Sequence, residues 1–249
     1  MSRIILTAAS RIGCVRTNNE DMILAYDRLI RSDAYQTEWM TENTDKFVVA
    51  LADGMGGHRA GEVASEQTLS NLKYFVEDMP RGLTSGEFHD MMMDWHKSIN
   101  HTINQRGHVD PELLEMGTTL VAVIFYGGKY YWINCGDSRL YRLREGKLLQ
   151  LSTDHSLNNS LGEKKHSNVI TNCIGAGCKN SFIDMFDFTT DILPGDAYMI
   201  CSDGLNDMVS HEEIERLMNE HVTANALCEA AIEAGGYDNV SVCVFHVED

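Results

Sequence analysis

FVVALADGMGGH, residues 47–58, is the stretch whose reading decides the fold. An apolar, strand-forming run from Phe47 to Ala52 ends abruptly in a carboxylate, Asp53, and Gly54, Gly56 and Gly57 follow within four positions. A buried strand that delivers one Asp to its end, then a loop with little side chain, lets backbone and a charged ligand approach closely. Metal and phosphate sites are often built this way. A strand ending in Asp-Gly is also an ordinary turn, and the other acidic motifs of the chain bear on the choice.

On the N-terminal side, residues 3–10 alternate as a first strand, and GCVRTNNED (13–21) carries Arg16 and the pair Glu20-Asp21. That segment runs into a short strand, MILAY (22–26), and residues 27–45 read as a polar, irregular surface excursion. After the glycines the period becomes helical: Leu69, Leu72, Val76 and Met79 fall on one face, until Pro80 and Gly82 stop the helix. Thr84 and Glu87 form a capping box for a second helix. Its apolar face is Phe88, Met91, Met92, Trp95, Ile99 and Ile103. Two helices with a short turn make an antiparallel pair packed on something flat.

From residue 117 the period is two. TTLVAVIFYG, KYYWINCGDS, RLYRLREG and KLLQL are four strand candidates joined by glycine turns, and they read as an antiparallel meander. Residues 153–180 lose periodicity, with Gly162, Gly175, Gly177 and the run Lys164, Lys165, His166, and read as an irregular flap. Strands resume at 182–188 and 196–202, where Asp203 repeats the opening device of an apolar strand ending in Asp-Gly. Ser210 and Thr223 cap helices over 211–219 and 223–234, and Asp238 stands immediately before a last strand, 239–247. The order predicts a mixed α and β domain of antiparallel strands with helices on the outer faces.

The bulk properties narrow the function classes. With 249 residues, 43% hydrophobic and 23% charged, and no linker or repeat, the chain is expected to form a single domain over 1–249. Its formal charge of -17, from 20 basic and 37 acidic residues, excludes a basic nucleic-acid footprint and favours cations. Seven cysteines are scattered singly without a CxxC pair, which is the usage of a reducing compartment. Cys173, Cys178 and His166 are poorly spaced for zinc. No stretch is long enough to span a membrane and the N-terminal apolar run is too short for a signal, so the expected location is cytoplasmic.

Asp53 and Asp203 end apolar strands, Asp137 lies at a strand turn in CGDSR, Asp238 precedes the final strand, and Glu20-Asp21 abuts another. Carboxylates gathered at one edge of a sheet would repel one another, and hard cations such as Mg²⁺ and Mn²⁺ relieve that. Spacing alone leaves open that these are unrelated turn residues, since Asp favours turns.

The ordered series GCVRTNNED, LADGMGGH, MGTTL, INCGDSRLYRL, DHS, CSDGLND and DNVSV resembles the metal-dependent protein serine/threonine phosphatases of the protein phosphatase 2C family, bacterial type. The resemblance spans residues 10 to 247. It implies an α+β fold, a central β-sandwich of two antiparallel sheets flanked by pairs of α-helices. It implies that Asp53 bridges two Mn²⁺ or Mg²⁺ ions, that Gly54 offers its carbonyl to the first, and that Asp203 and Asp238 hold the second. Glu20 and Asp21 would orient or ligate through water. Asp137 with Asp203 would hold a third, weaker ion, and Arg16 would grip the substrate phosphate. The implied activity is hydrolysis of phosphoserine and phosphothreonine in proteins by a metal-activated water, opposing a Ser/Thr kinase, by a monomer. No Cys-x5-Arg loop surrounds Cys14, so a thiolate phosphatase is disfavoured.

The chain departs from the family pattern in two places. Met55 stands where eukaryotic relatives carry a His thought to protonate the leaving group, with His58 three residues on, and the flap is shorter than in typical bacterial members. Two other readings are a catalytically silent interaction domain on the same fold, which retention of every ligand position disfavours, and a phosphatase of small metabolites using the same site.

Overall fold

The computed structural model describes residues 2–56, 60–157 and 169–248. In chain order the first strands are β1 (Arg3–Arg11), β2 (Met22–Ala25), β3 (Arg28–Ile30), β4 (Ala34–Met40), β5 (Lys46–Ala52) and β6 (Gly54–Met55). Helices α1 (Ala60–Asp78) and α2 (Ser85–Val109) follow, then β7 (Gly117–Thr118), β8 (Leu120–Tyr126), β9 (Lys129–Cys135), β10 (Arg139–Arg144), β11 (Lys147–Gln150) and β12 (Ile174–Gly175). The chain continues through β13 (Asp184–Asp187), β14 (Ala197–Cys201), α3 (Asp203–Asn206), α4 (His211–Asn219), α5 (Ala224–Glu233) and β15 (Val240–Glu248).

Two six-stranded antiparallel sheets, ordered β11-β10-β14-β15-β1-β4 and β13-β9-β8-β5-β2-β3, make up the centre. A small third sheet, β12-β7-β6, sits beside them. Alternation of side chains across each strand explains the layering. Along β5, Phe47, Val49 and Leu51 enter the core between the large sheets, together with Leu6, Val123, Tyr198 and Phe245. Val48, Ala50 and Ala52 point the other way, against α1 and α2. Alanines there, with Ala60 and Ala64 on the helix, allow close approach of helix to strand. A third core joins Val240, Val242 and Val244 to Leu227 and Ala231 of α5. Because the central strands are buried on both faces, they read as continuous apolar runs. Three cores between four layers give a helix–sheet–sheet–helix sandwich, as expected. The Thr84–Glu87 capping box is formed at the start of α2, and Ser210 and Thr223 cap α4 and α5 as predicted.

Two expectations are corrected. The strands from 117 to 151 are not one meander: β8 and β9 pair in one sheet, while β10 and β11 pair in the other. The chain crosses between sheets at Gly136-Asp137-Ser138. Gly136 has φ 122°, and a Cβ there would lie 2.6 Å from Thr119 Cγ2, so the chain steps across rather than reversing. Residues 27–45 are not simply irregular, since they contain β3 and β4, and β4 pairs with β1 over seven positions. β4 is a half-exposed edge strand that does alternate, with Gln36 and Glu38 facing solvent and Tyr35 and Trp39 packed on the inter-sheet core, so its polar content reads as surface although the period of two is present. Within the flap, Ile174-Gly175 returns as β12 against Gly117-Thr118. Gly162, Lys164, Lys165 and His166 lie outside the described residues.

Phe88 of α2 is fully buried and packs on Tyr126 and Tyr131, with ring centroids at 4.8 and 4.4 Å. Phe88→Ala is expected to cost about 3–5 kcal/mol, read by denaturant unfolding. His96, on the same helix, is buried, and its Nε2 lies 2.9 Å from Ser181 Oγ. Burial pushes its pKa down to about 4. The unfolded chain therefore takes up a proton at this position first as pH falls. The stability contributed by neutral His96 is present above the ordinary histidine value and is lost as pH falls toward about 4, by about 3 kcal/mol in full. His96→Gln is expected to lose less stability than wild type between pH 6.5 and pH 4.5, measured by thermal melts at both.

Candidate metal and phosphate site

The site begins with the backbone of Asp53. Its N–H donates to Thr119 Oγ1 at 3.0 Å, and its carbonyl accepts from Thr118 Oγ1 at 2.8 Å and from the Thr119 N–H at 2.9 Å. The two threonines of MGTTL thus hold the end of β5 on three sides. Gly54 follows because nothing larger fits: a Cβ would lie 2.6 Å from the Glu20 carbonyl and collide with the carbonyl of Gly61. Its N–H donates to that Glu20 carbonyl at 3.2 Å. The absence of a side chain therefore admits two protein backbones.

Glu20 and Asp21 are held by the end of the chain. Asn239, at the start of the last strand, accepts from the Glu20 N–H at 2.8 Å and donates to the carbonyls of Ile12 and Asn18 at 3.0 and 2.9 Å. One side chain thereby ties the whole polar segment 12–20 to β15. Asp21 Oδ2 accepts from Ser202 Oγ at 2.8 Å, and Ser202 Oγ in turn accepts from the Ser241 N–H at 3.0 Å. Asp21 is completely buried. Arg16 donates to Asp238 Oδ2 at 2.7 Å, with both side chains partly exposed at the lip.

Burial and mutual repulsion push these acids upward together. Burial raises Asp53 well above the ordinary carboxylate range, and the charges of Asp21, Asp203, Asp137 and Asp238 add to it. Asp203 is pushed up to about 8, by burial first and then by Asp137, Asp207, Asp238 and Asp21. Glu20 rises to about 7, through burial partly offset by Arg16. Asp21 rises to about 6, through burial opposed by its serine hydrogen bonds. Asp137 rises to about 6, through burial and Asp154, with Arg139 opposing. Asp238 on its side raises the affinity of Arg16 for its proton, chiefly through their hydrogen bond.

The structure therefore brings Arg16, Glu20, Asp21, Asp53, Gly54, Asp137, Asp203 and Asp238 into one electrostatic neighbourhood. Met55 lies beside it in β6, whereas Gly57 and His58 lie outside the described residues. Among the described residues, no three His, Cys, Asp or Glu side chains stand close enough to cage an ion by themselves. Two carboxylate oxygens, Asp21 Oδ1 and Asp203 Oδ1, are nonetheless buried with no hydrogen-bond partner. Buried acceptors of that kind are costly unless something cationic meets them. Hard, oxygen-seeking ions that keep several waters fit such an open, all-oxygen donor set.

These features agree with the comparisons. The sequence profile described as Protein phosphatase 2C matches residues 25–234. The chain belongs to the protein phosphatase 2C family. Its relatives include the serine/threonine protein phosphatase PstP of Mycobacterium tuberculosis, 35% identical over 266 aligned positions that cover 100% of this chain and 47% of that protein. The chain thus spans about half of PstP. The serine/threonine phosphatase stp of Listeria innocua is 33% identical, over 81% of this chain and 85% of its own length. Among solved structures, the S. agalactiae serine/threonine phosphatase superposes with TM-score 0.82 at 29% identity, covering 98% of this chain and 100% of that one. The catalytic domain of PstP in complex with two manganese ions superposes with TM-score 0.75 at 31% identity, each chain covered in full.

Several residues that build the site had no role in the sequence reading, although their motifs were visible. Thr118, Thr119, Ser202, Asn239 and Ser241 all sit next to a motif acid. His155 of DHS is another: its Nδ1 accepts from the Gly136 N–H at 3.1 Å and from Asn172 Nδ2 at 2.9 Å. Its other nitrogen therefore carries the proton and faces Asp184 Oδ2 at 3.0 Å. His155 so pins the turn that presents Asp137.

In chelator at neutral pH, Asp203→Asn is expected to stabilise the protein by about 1–2 kcal/mol, because the wild-type carboxyl must take up a proton to sit in this crowded set and the amide need not. Mn²⁺ is expected to raise the melting temperature of wild type clearly and that of Asp203→Asn little. Thermal melts with and without the ion read both effects.

Proposed function

We propose that this chain is a metal-dependent protein phosphatase that hydrolyses phosphoserine and phosphothreonine in proteins, opposing a Ser/Thr kinase. The observation that carries the reading is the pairing of Arg16 with Asp238 at the lip of a buried carboxylate cluster that holds two unpartnered oxygens. Divalent ions bound there would supply a water of lowered pKa and a Lewis acid for the phosphoryl oxygens.

The residue roles follow the family pattern. Asp53, with Gly54 through its carbonyl, would bind the first of two Mn²⁺ or Mg²⁺ ions, Asp53 bridging to the second. Asp203 and Asp238 would hold the second, and Asp137 with Asp203 a weaker third. Glu20 and Asp21 would orient water. Arg16 exchanges its carboxylate partner for the substrate phosphate, which its planar fork matches with two parallel hydrogen bonds. Ser202 holds the Asp21 carboxylate, and Thr119 fixes the backbone from which Asp53 projects. Met55 holds no transferable proton, so the leaving oxygen takes its proton from water. We read residues 1–249 as a single catalytic domain, monomeric and cytoplasmic. The free state of all seven cysteines supports the last point.

With Mn²⁺, the protein is expected to hydrolyse both a small aryl phosphate and a phosphothreonine peptide, and chelator is expected to abolish both activities. Asp53→Asn is expected to lower kcat at least about 100-fold, and Arg16→Ala to act mainly through KM. Full activity in chelator, or in Asp53→Asn, would overturn the reading.

A further inference from the structure

Two pockets adjoin along the C-terminal half of α2. The larger, 410 Å³, is lined by Lys97, His101 and His108 of the helix and by Lys179 from the segment after β12, with no carboxylate in its wall. The smaller, 250 Å³, has a mainly apolar wall that includes Ile103, Leu114, Met116 and Ala176, with the one carboxylate of Glu115 at its edge. Asn104, His108 and Gly177 line both, so the pockets form one groove with a cationic half and an apolar half. In a chain with 20 basic and 37 acidic residues, the carboxylate-free wall of the larger pocket stands out. Lys97 has only an exposed partner, Asp94, at 3.2 Å, and such pairs are weak and exchange readily. Lys179 is exposed and has no ion-pair partner among the described residues.

The groove is preformed and ends at the catalytic loop. Asn100 Oδ1 accepts from the Gly175 N–H at 2.8 Å, and Asn104 Oδ1 accepts from the Gly177 N–H at 2.9 Å, which fixes the turn opposite α2. That turn continues β12, which pairs with β7, and β7 pairs with Gly54-Met55. At the apolar end, a Cβ on Gly56 would lie 3.4 Å from the Glu115 carbonyl and from Met116 Cα. A chain lying in the groove therefore runs up to the loop that follows Asp53.

We propose that this groove docks an acidic segment of the phosphoprotein substrate. One aliphatic side chain fills the apolar pocket, and Lys97 and Lys179 receive carboxylates. The proposal rests on the phosphatase reading above and adds substrate choice to it. Arg16 reads only the phosphate, and the carboxylates around it repel acidic neighbours at close range. Selection for an acidic sequence therefore needs a cationic surface set apart from the reacting atoms. A free anion would leave the apolar half unfilled, and a nucleic acid would meet the net charge of -17.

The test compares wild type with Lys97→Glu/Lys179→Glu, both residues outside the catalytic machinery. Substrates are p-nitrophenyl phosphate and phosphothreonine peptides with either Leu and acidic residues or neutral residues alongside. Wild type is expected to prefer the acidic peptide about tenfold in kcat/KM at low salt, and the double variant to lose this preference through KM. Hydrolysis of p-nitrophenyl phosphate by the variant is expected to match wild type, which reports an intact fold and site. No preference in wild type, or its persistence in the variant, overturns the proposal. Binding of the unphosphorylated acidic peptide, followed by fluorescence anisotropy, reads the groove without catalysis: tighter binding to wild type supports it, and equal binding overturns it. Failure of wild type to hydrolyse any of these esters with Mn²⁺ would overturn the phosphatase reading while leaving the binding result to decide the groove.

Discussion

The repulsion among carboxylates held at the ends of two facing sheets is the constraint on which the rest of the structure depends. Asp21 is fully buried and Asp53 and Asp203 are largely withdrawn from water; Asp21 and Asp203 raise the proton affinity of Asp53, and Asp21 raises that of Asp203. Left free, such side chains would rotate toward solvent. The fold holds the Asp21 carboxylate directly through Ser202 and fixes the main chain from which the others project: Thr118 and Thr119 at Asp53, and Asn239 at Glu20. The strain is local, and the three cores of the sandwich hold it in place.

Those cores also explain why the ends converge. β5 and β8 lie side by side in one sheet, and β14 and β15 lie side by side in the other. The inter-sheet core aligns the two pairs. Asp53 leaves β5 and Asp203 follows β14, while Asp238 precedes β15, so all three reach the same edge. The crossover at Gly136 delivers Asp137 to that edge from between the sheets. A simple meander would have placed it on one sheet only.

Arg16 links this electrostatic centre to chemistry. Its guanidinium lies on Asp238, half exposed, where a phosphate can compete for it. The sharing of one cation between a site carboxylate and a substrate anion makes the lip responsive to both. Farther along the surface, Lys97 and Lys179 line a pocket beside α2 whose wall holds no carboxylate.

Much of this was legible in the sequence. Runs of period two and 3.6 located most strands and all the long helices, because each element buries one face and a buried face must be apolar. Three of the helix caps were readable from Thr84, Ser210 and Thr223, whose side chains act within a few residues of their own position. The ordered acidic motifs marked the candidate site before any coordinates did. Polar composition outweighed a real period of two at the half-exposed edge strand Ala34–Met40, and period was silent at Gly136, where a turn and a crossover share the same residues. Contacts between distant segments were the tertiary structure's alone to decide. That Asn239 supports Glu20, that Ser202 holds Asp21, and that His155 pins the turn of Asp137 depend on which strands lie side by side. Local sequence determines the state of a segment through short-range sterics and burial, whereas its partner is chosen by the packing of the whole core.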